Sequence, residues 1–474
     1  MNKPRLLFAA SEVYPFAKSG GLADVAHSLP RALNDDFDVL VVMPLYRFVD
    51  RERFSIKALD KHFNVAMGGV DYPVDLYGCE YEGMQHLFIY SPLLCERTFL
   101  YGPPENGYED NAVRFGIFCY AIAALLKQGS YAIAHLNDWQ SALVPLLLKS
   151  DGTTATKTLY TIHNLAYQGH FDRSVLKQLG IDEKYFTMEG IEFYGRVNFM
   201  KAGIAYADLI TTVSPNYAKE VLTPEFGCGL EGFLDLHRNK FTGIVNGIDT
   251  EDFSPSTDSA LIAPYTDLTG KTVNKKAYLK AIGLKGVKKP LFVFVGRFTW
   301  QKGMDLLIET LPKAASLPCN IAILGEGEAK YRDALKAIAD DYPNIHLEFG
   351  YDESLSHRMY AAADFLLMPS LFEPCGLNQM IAMHYGGLAV VHHVGGLADT
   401  VEQEENFDQL TKRGYGIVFS KATVRSFFKA FGRSIELYDD KPRYNKIAKH
   451  NMRCDFSWRE SAKAYKALYG KMMH

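Results

Sequence analysis

Gly20-Gly21-Leu22-Ala23-Asp24, near the start of the chain, returns letter for letter as Gly395-Gly396-Leu397-Ala398-Asp399 near its end. Each copy follows an apolar run and opens a helical pattern, which is the grammar of a strand–loop–helix unit. Paired glycines let a chain turn tightly and approach a ligand with no Cβ in the way. The helix behind them directs N–H groups and a positive dipole end at the loop, which favours phosphate. Two such loops imply two α/β halves facing a shared ligand. The first copy also carries Lys18, a cation two residues ahead of its glycines. A Gly-Gly turn taken alone is more often a plain helix start, so the rest of the chain has to decide.

Outward from the first copy, the apolar runs at 5–10 and 38–43 read as strands, with a helix over 22–33 between them. Residues 51–90 change to short β-like pieces and predict an antiparallel insertion. A helix over 111–127 follows, then strands at 133–136, 158–162 and 209–213. The alternation restarts after 242–249, with strands at 291–295, 321–324, 346–349, 365–368, 389–392 and 416–419. Apolar strands alternating with helices predict parallel sheets covered on both faces. The expected domains are 1–242, 243–450, and an amphipathic C-terminal helix within 451–474 that packs back on the first domain. Polar residues gather where strands end, which is where open parallel sheets bind ligands. Asp138, His163, Asn246, Arg297, Glu326 and Glu373 all stand at such points.

Size and composition narrow the class. The chain has 474 residues, too many for one ordinary domain. With 48% hydrophobic and 22% charged residues it has the make-up of a soluble globular protein. A net charge of −4 argues against a nucleic-acid or acidic-membrane binder. Seven scattered cysteines with no close pair argue against a disulfide framework or structural zinc and fit a reducing cytoplasm. The short N-terminal apolar run is cut by Glu12, so it reads as a buried strand rather than a secretion signal. There is no HExxH motif or Cys/His cluster, and His392-His393 would point to opposite faces of a strand, so no metal is expected.

Arg297 and Lys302 lie in Gly296-Arg297-Phe298-Thr299-Trp300-Gln301-Lys302-Gly303, directly after a buried strand. A rigid fork of donors beside a compact charge suits a diphosphate, although a solvated basic loop has the same composition. Fixed cations there would speed the departure of a diphosphate as its charge develops. Glu373, in Phe372-Glu373-Pro374-Cys375-Gly376-Leu377, precedes a helix expected to begin near Gly376. It can bind sugar hydroxyls or merely cap that helix. Cys375 reads chiefly as a small buried thiol. His163 ends a strand, where a histidine is commonly just hydrogen-bonded in place. Asp138, in Asn137-Asp138-Trp139, reads equally as a helix N-cap. Trp139 reads as packing.

Taken together these stretches resemble the glycogen and starch synthases, a family of retaining glycosyltransferases with the GT-B fold. The resemblance is carried by Lys18-Ser19-Gly20-Gly21-Leu22-Ala23-Asp24-Val25, Asn137-Asp138-Trp139, the 161–169 and 207–215 stretches, Asn246-Gly247-Ile248-Asp249, 296–303, Phe372 to Leu377 and 395–401, all in the family's order. It implies two Rossmann-like domains with parallel sheets facing an interdomain cleft. It also implies glucose transfer from a nucleotide-glucose, usually ADP-glucose, to an α-1,4-glucan, with no metal or pyridoxal phosphate and no nucleic-acid or membrane partner. By the same resemblance Lys18, Gly20 and Gly21 close over the donor, and Arg297 and Lys302 grip the diphosphate. Glu373 and the backbone at Cys375, Gly376 and Leu377 hold the glucose hydroxyls. His163 stands beside the sugar, Asp138 meets the sugar or the acceptor hydroxyl, and Asn246 lies in the donor cleft. The family's distant relatives carry a second Glu eight residues after the first; here that position is Ile381.

Overall fold

The structure is a computed structural model that describes residues 3–103, 106–152, 155–350, 352–407 and 413–473. It divides into two compact units. The first comprises Met1–Val213, Ala218–Ile244 and Trp458–His474, and the second Ser214–Tyr217 and Val245–Ser457.

The first unit is built on β1 (Arg5–Ala9), β2 (Asp38–Pro44), β3 (Lys57–Met67), β4 (Val70–Tyr81), β5 (Met84–Tyr90), β6 (Ile133–Asn137) and β7 (Lys157–Ile162). A small separate sheet follows, from β8 (His170–Phe171), β9 (Glu192–Phe193) and β10 (Arg196–Asn198); β11 (Leu209–Thr212) and β12 (Phe241–Gly243) then return to the main sheet. Among the described residues that main sheet has the order β12-β11-β7-β6-β1-β2-β5-β4-β3. The 51–90 region is antiparallel within itself, as expected, and extends the edge of the main sheet. β5 lies parallel to β2, and β4 and β3 continue the same sheet antiparallel. The reason is local: Gly68-Gly69 and Glu82-Gly83 adopt positive φ and close two tight hairpins.

β1 is buried along Leu6, Leu7, Phe8 and Ala9, as continuous apolar strands covered on both faces must be. The C-terminal helix Trp458–Met473 belongs to this unit, and its Tyr465 and Tyr469 are fully buried in the same core as Phe8 and Leu29. The Tyr469 hydroxyl meets His135 Nδ1 at 2.7 Å, and Thr161 Oγ1 meets His135 Nε2 at 2.6 Å, so this buried histidine is satisfied on both nitrogens.

The second unit has β13 (Leu291–Val295), β14 (Asn320–Gly325), β15 (Ile345–Phe349), β16 (Phe365–Met368), β17 (Leu388–His392), β18 (Val401–Gln403) and β19 (Gly414–Phe419). Among the described residues they form one parallel sheet in the order β15-β14-β13-β16-β17-β19-β18. Its polar core is anchored by Lys275, whose Nζ meets Asp364 Oδ2 at 2.5 Å and donates to the Tyr438 hydroxyl at 2.9 Å. The same carboxylate accepts from the Leu291 amide, which ties the start of β13 to the start of β16. Both units are thus Rossmann-like α/β layers. Among the described residues no helix is long and apolar enough to cross a membrane.

Candidate active site

In each sheet the strand order reverses beside a central strand, and the crevice at such a point is where open α/β sheets bind ligands. In the first unit the reversal lies between β1 and β6, with β7 next. The residues just past the ends of these three strands are Glu12 with the Lys18 loop, Asn137-Asp138, and His163. In the second unit it lies between β13 and β16, with β17 next. The loops there carry Arg297 and Lys302, Glu373, and Gly395.

Asp138 does not cap its own helix. It opens the short helix Asp138–Ser141 with φ +54°, a left-handed conformation that non-glycine residues seldom adopt. Its Oδ1 accepts from the backbone N–H of His163 at 2.7 Å, so the carboxylate reaches across to the end of β7. Burial, with a smaller push from Glu12, raises its pKa to about 7 in spite of that bond. His163 Nε2 lies 2.9 Å from Asn137 Oδ1, and Asn137 Nδ2 donates to the Ala9 carbonyl at 2.9 Å. Because the amide nitrogen is spent on Ala9, the oxygen faces the imidazole, so Nε2 carries the proton and Nδ1 keeps its lone pair. Burial pushes the His163 pKa down to about 3, and the ring is neutral at any physiological pH. Trp139 packs against Phe115 and Phe171, and a Cβ on Gly169 would come within 2.7 Å of its indole. It is wall rather than platform.

The first Gly-Gly loop departs from the expectation of free amides. Glu12, 4% exposed, lies beneath it. Its Oε2 accepts from the Ser19 and Gly20 amides, the latter at 3.2 Å, and its Oε1 accepts from Ser19 Oγ at 2.9 Å. An internal carboxylate thus occupies amides that the sequence assigns to a ligand. Lys18 pairs with Asp24 Oδ1 at 2.7 Å and lies over the Tyr14 ring. The helix starts at Gly21. Gly20 has extended φ, and a Cβ there would meet nothing within 4 Å, so neither strain nor packing demands its glycine.

The second loop is different. Gly395 has φ +45°, and a Cβ on it would lie 1.8 Å from the Glu373 carbonyl oxygen; one on Gly396 would lie 2.3 Å from that of Cys375. Gly396 N–H donates to the Glu373 carbonyl at 3.0 Å. These glycines let the turn pack directly on the Glu373–Cys375 backbone. Asp399 accepts from Ser214 Oγ at 2.5 Å and the Asn216 amide at 2.8 Å, so it is spent on the Ser214–Tyr217 segment.

Glu373 is 5% exposed, and its Oε2 accepts from Lys302 Nζ at 2.6 Å and Ser370 Oγ at 3.0 Å. The two loops are stitched further by Leu371 N–H to the Gln301 carbonyl, and Gly303, at φ +71°, presses on Pro369. The helix after Glu373 starts at Asn378 and runs only to His384, two residues later than expected and too short to act as a dipole site. Gly376 at φ +74° makes the turn before it, and Gln379 Nε2 donates to the carbonyls of Cys375 and Gly376. Burial pushes the Cys375 thiol up to about 12, and its sulfur receives the Asn246 amide, so it is an inert packing group. Asn246 is 6% exposed, and its Oδ1 has no hydrogen-bond partner among the described residues. Such a group calls for a ligand or water. Arg297 is exposed and makes no side-chain hydrogen bond or ion pair among the described residues. Glu326 pairs with Arg332 at 3.1 Å.

Sequence reasoning missed Glu12, Tyr101, Asn137 as the orienter of His163, Ser370 and Gln379. Their signal is strand order, which one sequence does not display.

Residues 5–236 match the family model described as the starch synthase catalytic domain, and residues 289–436 match that of glycosyl transferases group 1. The chain is 41% identical to a glycogen synthase of Aquifex aeolicus and 40% identical to one of Geotalea daltonii, each over 98% of both chains. The catalytic domain of starch synthase IV from Arabidopsis thaliana, solved with ADP and acarbose, superposes with a TM-score of 0.93 at 33% identity over the whole of both chains. A sucrose-phosphate synthase from Thermosynechococcus elongatus superposes at 0.64 with 17% identity over 99% of each chain, a likeness of fold alone.

Proposed function

This chain belongs to the glycogen and starch synthase family of GT-B glycosyltransferases, and we propose that it transfers glucose from ADP-glucose to the non-reducing end of an α-1,4-glucan, with retention of configuration. One observation carries the reading. The buried Glu373 carboxylate is held by Lys302 while Arg297, on the neighbouring strand end, makes no side-chain hydrogen bond or ion pair among the described residues. That arrangement supports a diphosphate gripped by Arg297 and Lys302 next to a carboxylate facing sugar hydroxyls. The unpartnered Asn246 Oδ1 and the backbone at Cys375, Gly376 and Leu377 supply further contacts to the donor. Lys18 is held by an exposed pair with Asp24, of a kind worth no more than about 1 kcal/mol, so a diphosphate displaces Asp24 readily. The open space beside Gly20 leaves room for it. ADP in the related starch synthase favours adenine as the donor base.

In the reaction the bond from the anomeric carbon to the phosphate oxygen breaks, and the acceptor oxygen forms its bond on the same face. The acceptor proton passes to the departing diphosphate. A neutral His163 does not repel the positive charge that develops on the sugar, as an imidazolium would. Asp138, with a pKa of about 7, meets the sugar or acceptor hydroxyl and can exchange a proton with it at neutral pH. Incubating the protein and glycogen with labelled ADP-glucose and UDP-glucose in parallel tests the reading. Glucan labelling from ADP-glucose, lost on Arg297→Ala, is expected. Absence of labelling from either donor refutes the proposal, and a trapped covalent glucosyl-enzyme refutes its mechanism.

A further inference from the structure

Between β1 and the helix Gly21–Leu33 the chain makes a closed loop. Its base is tied by the Ala17 amide on the Val13 carbonyl and the Tyr14 amide on the Ala23 carbonyl. The arm that bears Lys18, Ser19 and Gly20 leaves this base, and its inward-facing donors converge on one group. The Glu12 carboxylate takes the Ser19 amide, the Gly20 amide and the Ser19 hydroxyl. A fourth donor, the Tyr101 hydroxyl, reaches the same Oε1 at 2.9 Å from a distant stretch of chain. Tyr101 is itself set by Ser11 Oγ at 2.7 Å, and the Ser11 carbonyl accepts from the Tyr46 hydroxyl at 2.8 Å. Glu12 stands three residues past the end of β1, whose Leu6, Leu7, Phe8 and Ala9 are fully buried, so it is anchored to the core of the unit. The helix itself offers no side-chain cap.

We infer that Glu12 is the positioning residue of the Lys18 loop: its carboxylate latches the loop from below, so that Lys18 is presented for the sugar nucleotide while the loop amides are withheld from it. The inference rests on the donor role proposed for Lys18. It also changes what the Gly-Gly motif does here. The loop's amides serve the latch, and the phosphate is met by the lysine ammonium.

The chemistry of the latch sets the test. Glu12→Ala removes every tie. Glu12→Gln can rebuild them, because its oxygen accepts from the two amides while its NH2 donates to the Ser19 and Tyr101 hydroxyls, which rotate to accept. Trypsin cuts after Lys18 only when the loop opens, and that readout needs no substrate. Loss of a buried cluster of this size is expected to speed cleavage after Lys18 about tenfold in Glu12→Ala and to raise the KM for ADP-glucose by a similar factor. The KM for glycogen should stay within about twofold, and Glu12→Gln should restore both values to within about threefold of the parent. Unchanged cleavage in Glu12→Ala overturns the latch, and so does a Glu12→Gln variant that behaves like Ala. Faster cleavage with an unchanged KM for ADP-glucose upholds the latch and refutes the donor role of Lys18 instead. If Glu12→Ala does not fold, Tyr101→Phe removes one tie and leaves the amides bonded; a cleavage rate after Lys18 raised about twofold to threefold is then expected, and an unchanged one overturns the inference.

Discussion

Asp138→Asn should make the protein more stable and less active, and the gain in stability should depend on pH in a defined way. Burial lifts the carboxyl pKa from 3.8 to about 7. Below pH 3.8 the group is protonated in folded and unfolded chains alike and contributes no penalty. Between pH 3.8 and 7 the unfolded chain gives up its proton while the folded one keeps it, so stability falls as pH rises. Above pH 7 the penalty is complete. The shift corresponds to a ceiling of about 4 kcal/mol. The side chain keeps some contact with solvent, and about 2 kcal/mol is the realistic figure. Asparagine mimics the protonated acid, since its Oδ1 still accepts from the His163 amide. The variant should therefore match the parent at pH 4 and exceed it by about 2 kcal/mol at pH 8, roughly 4–8 °C in melting temperature for a unit of this size. Urea titrations followed by tryptophan fluorescence suit the measurement, because Trp139 and Trp458 both lie in the first unit. Glucosyl transfer should fall in parallel, as expected where a strained, desolvated acid is kept for function. A stability difference that does not grow between pH 4 and pH 8, or one of opposite sign, refutes the reasoning.

The two glycine pairs should respond oppositely to the same change. Gly20→Ala has room and an ordinary φ, so melting should move by no more than about 1 °C while the KM for ADP-glucose rises; Gly395→Ala drives a Cβ into the Glu373 carbonyl and should cost about 2 kcal/mol or more. Equal melting temperatures for the two variants would remove this distinction. Glu373→Gln strands the Lys302 ammonium and should cost about 2 kcal/mol, of which Lys302→Met in the same chain should recover most; urea titrations giving strictly additive effects would deny the pair its role. His163 should show no imidazole titration between pH 5 and 9 in nitrogen-correlated NMR, with the proton on Nε2; a midpoint near 6.5 contradicts the neutral ring.

Strand positions were legible from apolar runs because buried parallel strands have no polar face to disguise them. The expected strand at 291–295 is Leu291–Val295, and that at 365–368 is Phe365–Met368. Their neighbours in the sheet were not legible, and the site depends on neighbours. That β13 lies beside β16 is what brings Lys302 to Glu373, residues 71 apart in the chain. That β6 lies between β1 and β7 is what gives His163 its Asn137 partner and Asp138 its His163 amide. The alternative reading of Asp138 as a helix cap failed for the same reason, since its acceptor found a stronger claim across the sheet than along its own short helix.

The repeated pentapeptide makes the point most sharply. Both copies turn from a strand end into a helix, as their letters require. What a turn does is then set by the group placed against it, and the two turns meet different groups. Glu12 comes up beneath Ser19 and Gly20 and leaves the outer side of Gly20 open. The Glu373–Cys375 backbone closes against Gly395 and Gly396 and fills the same space. Asp24 is left to pair with a nearby lysine, and Asp399 is consumed by the Ser214–Tyr217 segment. Identical local sequence therefore yields one exposed approach to a backbone and one internal packing joint. Glycine, which adds no side chain of its own, takes its role from whatever the sheet order brings to it.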